Sequence, residues 1–152
     1  MDDSHISMNE SQGNISSPGY PFGYLDNMVY TWTIQGKADS YILINIPDFE
    51  VGDKCQYDYL KIYDGPTTFS PLFGSFCSSL QPGLMASTGN SMFIMLKASG
   101  NYKYKGFYGN YEIRAYLLWK QSLVTQTISL CMTEIHRLLE VLKTFVAGEY
   151  QS

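Results

Sequence analysis

The sequence predicts an all-β fold, an antiparallel β-sandwich, with an amphipathic helix appended at its C-terminus. Three observations carry that prediction. Apolar and polar residues alternate with a period of two through Tyr30-Trp32-Ile34, Ile42-Ile44-Ile46, Leu60-Ile62 and Met92-Ile94-Leu96. Turn residues separate these runs: 13 glycines and 6 prolines, with only 16% charged residues and 13 tyrosines, favour turn-rich β structure over a helical bundle. From Thr127 the period changes, because Ile128, Cys131, Ile135, Leu138, Leu142 and Phe145 recur every three or four residues.

Taken in order, residues 1–12 are polar and read as an extended or loosely ordered arm. Gly13-Asn14-Ile15-Ser16-Ser17-Pro18 reads as a short edge strand closed by Pro18 and Pro21, which cannot donate to a central ladder. Tyr30 to Ile34 and Tyr41 to Phe49 are alternating strands joined by the turn Gly36-Lys37-Ala38-Asp39. Tyr57 to Tyr63 is the next strand, and Asp64-Gly65-Pro66 ends it with turn chemistry. A Ser/Gln/Pro/Gly loop follows Cys77, then a buried strand through Met92, Ile94 and Leu96, a loop over residues 99–105, and a last strand from Gly106 to Tyr116. The helix is expected over about 127–147, with Glu134, Arg137, Glu140 and Lys143 off its seam and Gly148 as C-cap.

Four stretches resemble one family. Cys55-Gln56-Tyr57-Asp58-Tyr59-Leu60-Lys61-Ile62-Tyr63-Asp64-Gly65, with Cys77 twenty-two residues on, resembles the central signature of the CUB domain. Gly13-Asn14-Ile15-Ser16-Ser17-Pro18-Gly19-Tyr20-Pro21 resembles its opening, Ser87-Thr88-Gly89-Asn90 its characteristic turn, and Gly106-Phe107 to Tyr111 its closing strand. The resemblance covers residues 4–116 and leaves 117–152 as a non-CUB tail. It implies an extracellular antiparallel β-sandwich of jelly-roll type that recognises ligands without catalysis. The tail then reads as a segment of other origin, as an alternative splice product would be.

Three cysteines allow three single bridges, and spacing alone does not choose among them. The resemblance implies Cys55–Cys77, a closure stabilising by about 3 kcal/mol, and leaves Cys131 free as a small packed residue on the helix seam. The family's earlier disulfide would fall at Ser4 and Tyr30, and both cysteines are absent together. This implies a one-disulfide variant with a looser N-terminus.

The resemblance also implies a calcium site in end loops, and calcium takes six to eight oxygens. Asp58 and the supporting Tyr20 are kept. Gly52 stands where a glutamate is expected and Ser99 where an aspartate is expected, although Asn101 still offers an oxygen. Glu50 or Asp53, from the loop that holds Gly52, would have to compensate. The expectation is no cofactor, with a weakened site of Asp58, Tyr20, Asn101, Asp53 and Glu50 as the alternative.

Catalysis is not expected. His5 lies in the polar arm and His136 on the helix, neither beside a nucleophile and an orienting carboxylate, and no hydrolase, zinc-protease or phosphate-loop motif is present. In CUB-containing proteases a separate domain cuts. A net charge of −4 with no basic run excludes the footprint of a nucleic-acid binder. No stretch reaches the roughly 18 apolar residues of a membrane span. The first residues lack the basic and apolar regions of a signal peptide, so extracellular placement implies that the native N-terminus lies upstream. Asn9 and Asn14 each begin an Asn-x-Ser acceptor for glycosylation in a secreted chain. Tyr102 and Tyr104 alternate with Lys103 and Lys105, an adhesive pattern for a ligand.

The sequence therefore points to one recognition tile of a larger secreted or membrane-anchored protein, or an isoform of one, binding an extracellular protein ligand through end loops. Carbohydrate or lipid-headgroup binding is the alternative. A structural oligomer through the tail is the second, held back by its length of about two and a half heptads.

Overall fold

The computed structural model describes residues 3–78, 80–99 and 103–149, and their side chains apart from that of Asp3 and those of 117–123 and 145–149. Nine strands come first: β1 (Asp3–Met8), β2 (Gln12–Ser16), β3 (Met28–Gln35), β4 (Ser40–Glu50), β5 (Tyr59–Tyr63), β6 (Leu72–Phe76), β7 (Leu84–Ala86), β8 (Ser91–Ala98) and β9 (Gly106–Ala115). One helix, α1 (Tyr116–Glu149), follows. The chain divides into two compact units at that point, Met1–Ala115 and Tyr116–Ser152.

The strands form a sandwich of two sheets, ordered β1-β3-β8-β5-β6 and β2-β9-β4-β7. Alternation decides which side chains turn inward. Trp32 and Ile34 of β3, Ile42, Ile44 and Ile46 of β4, Leu60 and Ile62 of β5, Met92, Ile94 and Leu96 of β8 and Phe107 of β9 are all buried in one core. Trp32 meets Phe107 of the other sheet edge-on, with ring centroids 5.5 Å apart, so the two layers interlock at their largest side chains.

The β4–β9 register shifts between Asn45 and Asp48, around Pro47. Proline has no amide for the ladder, and the extra residue turns Asp48 away from the inward phase of Ile42, Ile44 and Ile46. Opposite the shift stands Gly109, where a Cβ would come within 2.5 Å of the Asn45 carbonyl oxygen. Only glycine lets the strands approach this closely.

Two features differ from the sequence expectation. Residues 3–8 are not a loose arm but the edge strand β1, paired parallel to β3 in an otherwise antiparallel sheet. Ser4 and Tyr30 are register partners, the two positions where the resemblance put the absent bridge. Tyr30 is buried and tilted against Trp32 at 6.4 Å, so an aromatic ring fills space at this join, and Met8 packs on the core margin. The helix is also longer than periodicity indicated. It starts at Tyr116 and runs 34 residues, about 50 Å, because residues 117–126 contain no glycine or proline to stop it. Cys131 is free and exposed on it, not packed, as are all the described side chains from 124 to 144. Of the expected seam, Phe145 lies outside the described side chains.

Candidate functional site

The registers bring four loops to one end of the sandwich. Ser16 pairs Tyr108, Met28 pairs Ala98, Tyr59 pairs Lys97, Glu50 pairs Gly106, Leu60 pairs Phe76 and Asn45 pairs Leu84. The segments 17–27, 51–58, 77–83 and 99–105 therefore leave and re-enter the sheets together. The Cys55–Cys77 disulfide joins two of them, its Cα atoms 5.4 Å apart as a bridge requires. The Ser78 amide also donates to the Val51 and Gly52 carbonyls, at 2.9 Å each.

Asp58 is the centre of this end. Its side chain is 1% exposed. Oδ2 accepts from the Tyr24 hydroxyl at 2.8 Å and Oδ1 from the Ser99 amide at 2.8 Å, so one carboxylate holds the segments 17–27, 51–58 and 99–105. The Tyr24 hydroxyl accepts in turn from the Gly52 amide at 3.3 Å. Tyr24 is itself fully buried and lies against Tyr104 at 6.5 Å. Burial first, and then its hydrogen bond to Asp58, push the Tyr24 phenol far above its usual value, so it stays neutral and donating.

A second carboxylate sits beside it. The register shift in β4 aims Asp48 at the loops, where Oδ2 accepts from the Tyr20 hydroxyl and from Lys105 Nζ. The ammonium lies 5.5 Å from the Tyr20 ring centre, and Tyr20 stacks on Tyr108 at 5.7 Å. Hydrogen bonding to Lys105 holds the Asp48 carboxyl below the usual carboxylate range. The same bond raises the Lys105 ammonium, and Asp48 raises the Tyr20 phenol.

This geometry reassigns several expected site residues. The tyrosine supporting Asp58 is Tyr24, and Tyr20 belongs to Asp48. Glu50 and Asp53 are exposed, with Asp53 beside Tyr104, whose phenol is raised by burial and then by that carboxylate. Asn101 and Tyr102 lie outside the described residues. Of the adhesive loop, Lys103 is exposed, Tyr104 is half-buried against Tyr24, and Lys105 is committed to Asp48. Asn9 and Asn14 are both exposed.

The described residues do not fit a calcium ion. A Cβ at Gly52 would already come within 2.7 Å of Asp58 Cβ, and Gly52 has φ +54°, so a glutamate there would be strained and crowded. Both Asp58 oxygens accept from protein donors. Among the described residues no three His, Cys, Asp or Glu side chains converge as a metal site.

Sequence reasoning missed Tyr24 and Asp48, and read Lys105 as part of the adhesive loop, where it pairs with Asp48. A proline within an alternating strand was a signal for the shift that aims Asp48. Nothing in the sequence told which of Tyr20 and Tyr24 reaches Asp58. His5 Nδ1 lies 2.9 Å from Thr31 Oγ1 and Nε2 3.3 Å from Ser7 Oγ.

A family model described as the CUB domain matches residues 4–111. The chain belongs to the CUB domain family. Among CUB-containing relatives, human Tolloid-like protein 1 is 36% identical over 107 residues, which are 69% of this chain and 11% of that protein. Human Cubilin is 38% identical over 102 residues, 65% of this chain and 3% of that protein. This chain thus spans about a tenth or less of those relatives. The solved extracellular region of zebrafish Gpr126/Adgrg6 superposes with a TM-score of 0.66 at 28% identity, over 75% of this chain and 15% of that one. A MASP-1 CUB2 domain solved with Ca2+ bound superposes with a TM-score of 0.65 at 25% identity, over 72% of this chain and 98% of that one.

CUB domains are generally non-catalytic modules of extracellular or secreted proteins that mediate protein interactions. No helix among the described residues is long and apolar enough to cross a membrane.

Proposed function

We propose that this CUB module binds an extracellular protein ligand through the loops at its Cys55 end, without a calcium bridge, as one tile of a larger secreted or membrane-anchored protein. The observation that carries this reading is a pairing of rigidity with exposure. The loops pinned on Asp58 also hold out Phe22, Leu25 and Tyr57, which are 91%, 63% and 51% exposed. Large apolar side chains at an interface centre supply most binding energy. Loops fixed beforehand lose less entropy on binding. Lys103, on the same end, adds a cation at the rim. Asn9 and Asn14 lie on β1–β2 and β2, away from Phe22 and Tyr57 in the chain, so glycans there fit the same reading.

Fluorescent oxidised protein titrated onto cells tests it, with cell surfaces left intact, stripped by protease or treated with glycosidases. Binding should disappear on protease treatment and survive both a calcium chelator and the glycosidases. A Phe22→Ser/Tyr57→Ser variant should bind about tenfold more weakly. Binding that resists the protease but falls with the glycosidases would replace this reading with carbohydrate recognition.

A further inference from the structure

Every side chain of α1 from 124 to 144 is exposed, yet the stretch carries a continuous apolar seam. Written as heptads abcdefg, Val124, Cys131 and Leu138 fall at d, and Ile128, Ile135 and Leu142 at a, with no polar residue interrupting them. Met132 and Leu139, at e, widen the seam on one side. The helix backbone itself runs for 34 residues, nearly five heptads. The two and a half heptads of the sequence pattern therefore no longer set the length available for pairing, and three or four suffice.

Charge does not compete for this face. Of the four charged residues between 124 and 144, Glu134 pairs with Arg137 at 3.0 Å and Glu140 with Lys143 at 2.8 Å, each within one helix. The seven largest apolar side chains of the seam and its flank are all at least half exposed, and Cys131 is exposed as well. At roughly 90 Å² apiece, they offer about 700 Å² per copy, close to the ~800 Å² that each partner contributes to a stable interface. Isoleucine at a with leucine at d favours two parallel strands.

We propose that α1 is a dimerisation element, through which two copies of this chain pair parallel and in register along the Val124–Leu142 seam. Each Cys131 then lies opposite its counterpart, because parallel pairing sets d against d. A second copy is favoured because such a seam is its own complement, knobs at a and d entering the holes of an identical helix. Charges already closed within the helix select no other partner. A different helical protein is the competing occupant.

Sedimentation of the full chain across a concentration series tests the pairing, in a Cys131→Ala background where no bridge can form. That chain should move from one copy to two, and not beyond, as concentration rises. Adding Ile135→Asp/Leu138→Asp should weaken association about a hundredfold. Adding Leu130→Asp, at an exposed apolar position off the seam, should leave association as it was. Thermal melts should show the sandwich folded in every variant. In the native chain, oxidised glutathione should join the two copies, seen on a non-reducing gel. Each Cys131 thiol gives up a proton and an electron, one sulfur–sulfur bond forms, and the glutathione disulfide leaves as two thiols. A chain that stays single, a mass above two copies, a seam variant that pairs as well as its parent, loss of pairing in Leu130→Asp, or a dimer that oxidised glutathione does not bridge would each overturn the proposal.

Discussion

At the Cys55 end, Tyr24 bonds Asp58 with both side chains out of solvent, whereas Tyr20 bonds Asp48 where the carboxylate and its Lys105 partner each stay about a third accessible. The chemistry of the two pairs is the same and the surroundings are not. The described donors to Asp58 are the neutral Tyr24 hydroxyl and Ser99 amide, and they join three loops. Asp48 has an ammonium, and water shares the work. Burial sets how much a hydrogen-bonded carboxylate matters: leaving a buried partner unpaired costs its whole desolvation, while an exposed ion pair is replaced by solvent.

The sharpest way to break this contrast is Asp58→Ala. It strands the Tyr24 hydroxyl and the Ser99 amide in a dry site, and it should lower unfolding free energy by about 4 kcal/mol, read from denaturant titration of oxidised protein. An effect no larger than that of Asp48→Ala would erase the distinction. Tyr24→Phe removes one hydroxyl from the same site, leaving Asp58 Oδ2 and the Gly52 amide short of a partner, and should cost about 2 kcal/mol.

The same variant sharpens the pH behaviour. Tyr24 is raised above the ordinary phenol value of 10.0, so its contribution is complete below that pH. As pH rises past it, the unfolded chain releases a proton that the folded chain keeps, and stability falls. Tyr24→Phe should therefore start less stable at neutral pH and lose less between pH 10 and 11, in paired denaturant titrations. Lys105→Gln is the smallest effect expected. Its melting temperature should lie slightly below wild type near neutrality and the two should converge in acid, because the Asp48 contribution exists above the usual carboxylate range and is lost as pH falls through its lowered value.

The strands were legible because their information is local. Ile42, Ile44 and Ile46 alternate, and alternation alone places them inside. The opening and central motifs likewise located Asp58 and the Cys55–Cys77 bridge. β1 was not legible, since Ser4, His5 and Ser7 carry no apolar period and the strand exists through backbone pairing with β3. Nor was the start of α1, where composition permits a helix without a periodic signal. Which tyrosine bonds Asp58 was not legible, for a tertiary reason. Tyr20 and Tyr24 share one loop, and only the path of that loop, with Gly19 at φ +79° and Gly23 at φ +111°, decides which ring goes inward.

Amide hydrogen exchange at Ser99 and Gly52, measured with calcium and with a chelator, tests most directly whether Asp58 pins the loops by itself. Equal protection of both amides in the two conditions, with protection lost in Asp58→Ala, is the predicted result. Protection of Ser99 that arises only when calcium is added would contradict it, and would mean that a metal completes the site.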